Sequence, residues 1–313
     1  MNKRIKTVFM GTPIFACSIL EQLYQESALE IIAVISQPDR KVGRKQVFQE
    51  TPVKQLALQN NTKVLQPESI KESVDEILDL EAELIITCAY GQFVPTKILD
   101  YPTLGAFNVH ASLLPKLRGG APIHKAIMYG EKETGITIMK MVAKMDAGDI
   151  ISQNAITINE EDTMGDLHDK LKVVGAELLH ETLPSILAGS YHSTPQVDKL
   201  ATYAWNISKE EEKVDFTKSY QEVYNHIRSL IPSPVSYGII DDKKVKFWKV
   251  CASDNKTAEV SGTILPFEED SFVIAVDSQK LYIEELQLEG KQKISAKEFK
   301  NGNGKSYIGK VFV

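Results

Sequence analysis

The sequence predicts an α/β domain with a mostly parallel sheet, followed by a small β-barrel domain. Strand and helix patterns alternate through the first half of the 313 residues, as in sheets whose strands are joined by crossover helices. Residues 84–90 are almost entirely apolar, which is typical of a strand covered on both faces. After residue 230 the patterns change to short strands at regular spacing, which indicate a small barrel or sandwich.

The elements of the first domain follow from these patterns in chain order. A strand at residues 5–10 ends at Gly11, after which Thr12 is the expected N-cap and Pro13 the first residue of a helix. Residues 37–50 are polar and basic, and we expect a long loop there. The remaining predicted strands are 30–36, 63–65, 84–90, 105–110, 135–142 and 149–158, and the remaining helices are 51–60, 68–80 and 162–188.

The last third of the chain has a different organisation. A helix is expected at 219–230, and short strands at 235–240, 245–251, 262–265, 272–276 and 281–286. The turn-rich stretch before them resembles a linker. We therefore divide the chain into a first domain over 1–189, a linker over 190–207 and a second domain over 208–313.

Charge and composition limit the partners, metal sites and location that the sequence predicts. The net charge is −6, so a nucleic-acid partner would have to meet a local basic surface. The three cysteines are widely spaced and the six histidines lack metal-ligand spacing, so we expect no disulfide framework, no metal and a reducing, cytoplasmic location. No apolar stretch approaches the length that a bilayer requires, so we expect no membrane association.

Asn108 and His110 are the sharpest candidates for chemistry. They lie two residues apart at the carboxyl end of a predicted strand, so both side chains point to one face, at the edge where open α/β sheets bind ligands. An amide donor and an imidazole at one carbon could bind the oxygen of a tetrahedral intermediate and move protons. The alternative interpretation, favoured by this spacing alone, is a structural pair at a strand end.

Two further segments carry charged residues with two interpretations each. Asp146 and Asp149 flank a turn, and either could orient His110 or merely cap its own backbone. The long loop contains four cations within six residues that could bind phosphates or simply be solvated. These cations are Arg40, Lys41, Arg44 and Lys45.

Several motifs together resemble the methionyl-tRNA formyltransferase family, within the folate-dependent formyltransferase superfamily. The resemblance covers nearly the whole chain, and the loop at 37–44 and the added second domain distinguish the tRNA enzymes from other members. The motifs are Gly11-Thr-Pro13, Gln37-Pro-Asp-Arg40, Ala89-Tyr-Gly91, Asn108-Val-His-Ala-Ser-Leu-Leu-Pro115, Arg118-Gly-Gly-Ala-Pro-Ile123, Thr134-Gly-Ile-Thr-Ile138, Asp146-Ala-Gly-Asp149 and Ser208-Lys-Glu-Glu211.

This resemblance implies a Rossmann-like formyltransferase domain and an OB-like barrel that binds tRNA. It implies 10-formyltetrahydrofolate as the formyl donor and initiator methionyl-tRNA as the acceptor. Asn108, His110 and Asp146 match the family's catalytic residues, and Arg44 matches an arginine that engages the acceptor end of the tRNA. The family's folate-binding segment corresponds to Ser112, Leu113, Leu114 and Pro115. We expect a monomer, since no clear apolar patch or heptad run is visible.

The sequence departs from the family pattern at three places. Ile14 replaces a frequent acidic residue, His124 a frequent Gln, and residues 231–234 a more usual Asn-Pro-Trp-Pro, which could loosen packing in the second domain. The catalytic residues are unaffected. Three other functions stay open: formyl transfer to an amino-sugar nucleotide, hydrolysis of the formyl donor, and RNA binding by an inactive enzyme fold.

Overall fold

A seven-stranded sheet organises the first part of the chain in the computed structural model, which describes residues 3–42 and 47–313. Its strands are β1 (Ile5–Gly11), β2 (Leu29–Ile35), β5 (Lys63–Leu65), β6 (Leu84–Cys88), β7 (Gly105–His110), β8 (Glu133–Lys140) and β9 (Ile150–Thr157). They lie in the order β5-β2-β1-β6-β7-β8-β9. The pairs from β5 to β7 are parallel and β8 runs antiparallel to β7. The predicted mostly parallel sheet is confirmed.

Helices connect these strands. They are α1 (Ile14–Gln25), α2 (Pro52–Gln59), α3 (Val74–Leu78), α4 (Thr96–Asp100), α5 (Pro122–Met128) and α6 (Met164–Leu187). The sequence determines the start of α2, because the Thr51 hydroxyl accepts the N–H of Lys54 at 3.2 Å and Pro52 occupies the first helical position. Every residue of β6 is buried, which explains its apolar sequence.

Three local predictions were wrong. Thr12 does not cap α1: Pro13 occupies the N-cap position, and the Thr12 hydroxyl donates to the carbonyl of Tyr90 at 2.9 Å. The segment 37–50 is not a plain loop, since β3 (Arg40–Val42) pairs with β4 (Val47–Gln49) in an antiparallel hairpin. The helix predicted at 68–80 is reduced to a 3-10 turn at Ile70–Glu72 and the short α3, because Ser73 between them leaves helical backbone geometry.

The C-terminal part contains α7 (Tyr220–Ser229), β10 (Tyr237–Ile240), β11 (Lys243–Cys251), β12 (Phe272–Val276), β13 (Gln279–Leu288), β14 (Ile294–Ser295) and α8 (Ala296–Asn301). Its antiparallel sheet has the order β10-β11-β13-β12. The strand predicted at 262–265 is a fourth wrong prediction, since only isolated bridges form there, from Ile264 to Ile274 and from Thr263 to Val311. The N–H of Val313 donates to the carbonyl of Ile239 in β10 at 3.0 Å. These links extend the curved antiparallel sheet towards a barrel, which encloses a core of aromatic and aliphatic side chains.

The described chain forms two compact units, and the second is built from three segments. It combines Asn206–Val313 with Ile123–Glu133 and Thr157–Leu167, whereas the described residues up to Pro122, Thr134–Ile156 and His168–Trp205 form the first. Within the second unit, the buried Arg228 donates to the carbonyls of Asn159 and Asp162 at 3.1 and 2.6 Å. Among the described residues, no helix has the length and apolar character needed to cross a bilayer.

Candidate active site

Asn108 lies in β7 and is oriented by the neighbouring strand β6. The buried hydroxyl of Thr87 donates to Asn108 Oδ1 at 2.8 Å. This hydrogen bond fixes which way the amide points: Oδ1 faces Thr87, and the Nδ2 group faces the other way as a hydrogen-bond donor. Among residues 3–42 and 47–313, Nδ2 has no hydrogen-bond partner. The amide of Asn108 is therefore held ready to donate to a ligand.

His110 follows two residues later on the same face of β7 and is 6% exposed. One ring nitrogen, Nε2, lies 3.0 Å from the carbonyl of Leu117. Since a carbonyl only accepts, Nε2 must carry the hydrogen and donate it. The other ring nitrogen, Nδ1, is 3.8 Å from Oδ2 of Asp146. The structure thus brings together the imidazole and the carboxylate that are 36 residues apart in sequence, within ion-pair distance but beyond a direct hydrogen bond.

Asp146 lies in the turn between β8 and β9, with a left-handed φ of 48°. Its Oδ2 accepts the N–H of Gly119 at 2.8 Å, and its side chain is 15% exposed. Gly148 in the same turn approaches β8 so closely that a Cβ would lie 1.7 Å from the carbonyl oxygen of Lys140. The Asp146 carboxylate is consequently fixed by tight packing of the turn and by the loop that follows β7.

Gln196 is a functional candidate that the sequence analysis missed. Its Nε2 donates to the carbonyls of Asp146 and Gly148 at 2.9 and 2.7 Å, and its Oε1 accepts from Nε and Nη2 of Arg118 at 3.1 and 2.8 Å. Arg118 is completely buried, and its Nη1 forms an ion pair with Asp198 at 2.9 Å that is not aligned as a hydrogen bond. Gln196 links a buried cation to the turn that carries Asp146. No local pattern marks an isolated Gln as such a link.

A strap, which we define as residues 196–205, lies along the loop after β7. The N–H of Arg118 donates to Thr202 at 2.9 Å, and its carbonyl accepts the N–H of Ala204 at 2.7 Å. The Ala204 carbonyl accepts the N–H of Ala121 at 3.0 Å, and the Thr202 hydroxyl accepts the N–H of Leu117 at 2.9 Å. This ladder fixes the loop whose Leu117 carbonyl and Gly119 amide hold His110 and Asp146.

The segment 112–115 forms a firmly bonded turn beside these residues. The Ser112 hydroxyl donates to the carbonyl of Lys116 at 2.7 Å, and Thr137 of β8 bridges the turn by donating to the Ser112 carbonyl at 2.6 Å and accepting the N–H of Leu114 at 3.1 Å. Ser112 and Leu114 are buried, whereas Leu113 and Pro115 are partly exposed. Only the latter two side chains therefore present surface to a ligand.

The four predicted tRNA-binding cations fall into two groups. Arg40 and Lys41 are exposed on β3, where Arg40 lies 3.8 Å from Glu68 and the Lys41 ammonium lies 5.4 Å from the ring centre of Phe48. Arg44 and Lys45 lie outside the described residues. The hairpin thus presents exposed cations on its first strand.

The three departures from the family pattern have simple structural settings. Ile14 is an exposed residue at the start of α1. His124 donates through Nε2 to the carbonyl of Ser233 at 3.2 Å, and Ile231 is buried in the core of the second unit. Residues 231–234 therefore contribute one apolar side chain, that of Ile231, to this core.

The arrangement can stabilise charge and move protons at one ligand atom. A free amide donor, an imidazole and a carboxylate meet at the carboxyl end of the sheet, where parallel strands place ligand sites. Cys88 is an unsuitable nucleophile, because complete burial raises its thiol pKa far above the usual range. Among the described residues, no group of three or more His, Cys, Asp or Glu side chains could hold a metal ion.

Comparison with known proteins gives two family matches. Residues 3–183 match the family described as formyl transferase, and residues 206–304 match the formyl transferase C-terminal domain. Methionyl-tRNA formyltransferase of Staphylococcus epidermidis (strain ATCC 35984) is 48% identical over 311 residues, covering 98% of this chain and 99% of that protein. The Staphylococcus aureus (strain Newman) methionyl-tRNA formyltransferase is 46% identical over the same length and coverage.

Solved structures share the fold at lower identity. The sugar 3N-formyl transferase WlaRD, crystallised with dTDP and 5-N-formyl-THF, has a TM-score of 0.68 and 23% identity, covering 93% of this chain and 100% of that chain. HypX from Aquifex aeolicus in complex with tetrahydrofolic acid has a TM-score of 0.65 and 15% identity, covering 98% of this chain and 48% of that chain. These two likenesses establish the fold alone.

Proposed function

This chain belongs to the methionyl-tRNA formyltransferase family, and we propose that it transfers the formyl group of 10-formyltetrahydrofolate to the α-amine of initiator methionyl-tRNA. The product is formylmethionyl-tRNA for translation initiation. The observation that carries the proposal is the approach of His110 and Asp146 to 3.8 Å, next to the free amide donor of Asn108. Folate as co-substrate agrees with the formyl transferase family match.

The residues present fit a folate that carries a formyl group. Asn108 offers a free N–H donor for a carbonyl oxygen, and Leu113 and Pro115 offer partly exposed apolar surface for a flat aromatic ring. We assign the folate-binding role to the segment 112–115 on this basis, with Leu113 and Pro115 as the contacting side chains and the buried Ser112 and Leu114 as supports of the turn. When bound, the folate supplies the formyl carbon as the electrophile.

Asn108 and His110 act on the formyl oxygen. As the neutral α-amine attacks, that oxygen gains negative charge. The Asn108 amide donates a hydrogen bond to it, and His110, whose Nε2 already donates to the carbonyl of Leu117, acts on it through Nδ1. Because the amine attacks directly, the chain needs no covalent nucleophile. The Thr87 hydroxyl keeps the Asn108 amide in the donating orientation.

Asp146 acts through charge and orientation. Its carboxylate lies 3.8 Å from His110 Nδ1, beyond a direct hydrogen bond, and stabilises the positive charge that develops on the ring during proton transfer. The amine must lose a proton and the departing nitrogen must gain one, and Asp146 with His110 can carry it directly or through one water. The gap of 3.8 Å leaves room for small adjustment when substrate binds.

The remaining assignments extend the proposal to the whole protein. Residues 1–189 would carry out the transfer, 190–207 would link the domains, and 208–313 would bind tRNA together with Arg40, Lys41, Arg44 and Lys45. We propose a cytoplasmic monomer, and the free state of Cys17, Cys88 and Cys251 agrees with a reducing compartment.

The direct test is formyl transfer by the purified protein. It should convert methionyl-tRNA to formylmethionyl-tRNA with 10-formyltetrahydrofolate, and leave amino-sugar nucleotides unmodified. Release of formate without an acceptor would indicate a hydrolase, and an absence of donor turnover would leave only RNA binding. Formylation of the sugar nucleotide in preference to the tRNA would overturn the assignment.

A further inference from the structure

Two aromatic rings at the end of the strap are stacked and exposed. The rings of Tyr203 and Trp205 have centres 5.3 Å apart and planes within 3° of parallel. Tyr203 is 41% exposed and Trp205 is 61% exposed, whereas Ala204 between them is buried. In this extended backbone alternate side chains point to opposite faces, so both rings stand on the outer face. Stacking restricts the rotation of both side chains and leaves one large aromatic surface exposed to solvent.

The strap connects this aromatic pair to the reacting residues. Tyr203 forms a parallel bridge with Arg118, and the neighbouring Ala204 is hydrogen-bonded to Arg118 and Ala121. Between those two residues, Gly119 donates to the carboxylate of Asp146 at 2.8 Å. Gly119 also needs to be Gly, since its φ is 124° and a Cβ would lie 2.6 Å from the Ala204 carbonyl oxygen. The rings are therefore anchored by main-chain contacts to the loop that positions Asp146.

We propose that Trp205, supported by Tyr203, is a stacking platform for an unpaired base near the aminoacylated end of the tRNA. This inference rests on the proposed function. The methionyl ester must be delivered to the residues around Asp146, so the terminal nucleotides necessarily pass close to the loop 117–121. Bases of single-stranded nucleic acid stack on exposed aromatic rings without requiring a particular sequence.

The charge of the strap agrees with this partner. Lys199 is exposed, and within the described part of the chain its ammonium has no ion-pair partner. It therefore remains available to a phosphate a few residues from the rings. Lys144 nearby is already paired with Asp198 at 2.7 Å and is not part of the platform. Exposed aromatic rings together with a nearby cation are the combination that binds single-stranded nucleic acid.

The first test compares KM values for methionyl-tRNA. Trp205→Ala should raise this KM roughly 5- to 150-fold, the range for loss of one base–aromatic stack, with the KM for the folate donor unchanged. Trp205→Phe should restore most of the affinity because it keeps a ring. The matched control is Leu200→Ala, since Leu200 is also 61% exposed on the strap but has no ring. Equal KM values for the Trp205→Ala and Leu200→Ala variants would overturn the platform.

The second test observes Trp205 directly. The chain contains two tryptophans, so Trp248→Phe leaves Trp205 as the only one. An RNA hairpin with four unpaired 3′ nucleotides should quench its fluorescence, and the same hairpin with a blunt end should not. Equal responses to both hairpins would also overturn the proposal. If the wild type does not formylate methionyl-tRNA at all, the proposed function fails instead, and quenching by the unpaired end still reports on the platform.

Discussion

The side-chain amide of Gln196 donates to the main-chain carbonyl of Asp146 at 2.9 Å. The same amide reaches Gly148, so both ends of the turn around the carboxylate are fixed by one residue from a distant segment. Arg118 orients Gln196 in turn through two hydrogen bonds. The position of the Asp146 carboxylate relative to His110 consequently depends on a residue whose hydrogen bonds go to Arg118 and to the turn, and not to the imidazole.

Replacing Gln196 should impair turnover more than binding. Gln196→Ala removes both bonds to the turn, and a carboxylate displaced by about 1 Å can lower kcat by up to about 100-fold. Gln196→Glu keeps an acceptor for Arg118 but cannot donate to Asp146, so it should lose turnover as well. Steady-state kinetics should show unchanged KM values for tRNA. Normal kcat in the Gln196→Glu variant would mean that only the contact with Arg118 matters.

Loss of His110 or Asp146 should abolish most catalysis while tRNA still binds. We expect His110→Ala and Asp146→Asn each to reduce kcat by at least about 100-fold, because each removes a side chain that moves protons or stabilises charge at the reacting centre. The dissociation constant for methionyl-tRNA, measured by filter binding, should change little. Either variant with near-normal turnover would disprove the assigned role.

Asn108→Ala should lower kcat by roughly 100- to 1000-fold, the usual cost of one donor to a developing oxyanion. The companion variant Thr87→Val keeps the amide but removes the hydroxyl that orients it. It should therefore have a smaller loss of kcat. Single-turnover measurements with saturating substrates separate this effect from binding. A larger loss in Thr87→Val than in Asn108→Ala would argue that Asn108 is structural.

The basic hairpin should control binding and its salt dependence. Arg40→Ala, Lys41→Ala and Arg44→Ala should each raise the KM for tRNA without changing the KM for the folate. If each cation contacts one phosphate, the slope of log affinity against log salt should fall by about 0.7–0.9 per variant. Lys3→Ala is a suitable control, because Lys3 is an exposed cation outside the hairpin that already forms an ion pair with Glu83 at 2.9 Å. Salt-independent binding by the wild type would exclude phosphate contacts.

His226 should make the second unit sensitive to acid. Burial is the main cause that lowers its pKa below the ordinary 6.5, with the positive Lys125 acting in the same direction, while Glu211 and Asp215 oppose it. Below pH 6.5 the unfolded histidine takes up a proton that the folded one refuses, so the free energy of unfolding should fall as pH drops through the folded pKa.

Urea titrations between about pH 7.5 and 5 measure this effect. Through its amide, His226→Gln can still donate to the carbonyl of Glu211, which His226 Nε2 contacts at 2.7 Å, but it cannot titrate. Its urea midpoint should therefore depend less on pH than that of the wild type. Equal slopes for the two proteins would place the acid sensitivity in another group. His180 could not be that group, because Glu26 raises its pKa and its contribution to the free energy of unfolding is lost as pH rises, not as it falls.

The sequence predicts the bounds of three strands of this fold as they are observed, 63–65, 105–110 and 272–276. In the last two, the predominantly apolar run reflects burial under other elements, whereas 63–65 is exposed or partly buried. The pairing of Arg40–Val42 with Val47–Gln49 was missed because the two short segments leave no alternating pattern, and Val47, Phe48 and Gln49 are all exposed. The helix at 68–80 failed because Ser69 and Ser73 both leave helical geometry around one 3-10 turn.

Only part of the candidate site could likewise be predicted from the sequence. Asn108 and His110 are two residues apart on one strand, so their common face follows from strand geometry alone. The approach of Asp146 depends on how the turn after β8 packs, and Gln196 reaches that turn from 50 residues away. Such long-range hydrogen bonds have no local signature, so residue patterns leave them undetermined.

The three-segment composition of the second unit has a consequence for dissection of the gene. A cut after Trp205 would leave Ile123–Glu133 and Thr157–Leu167 on the N-terminal fragment, deprived of the partners that Arg228 and its neighbours provide. Neither half would then be a module that could be transplanted intact. An engineered division of this chain should therefore keep Ile123–Glu133 and Thr157–Leu167 together with Asn206–Val313.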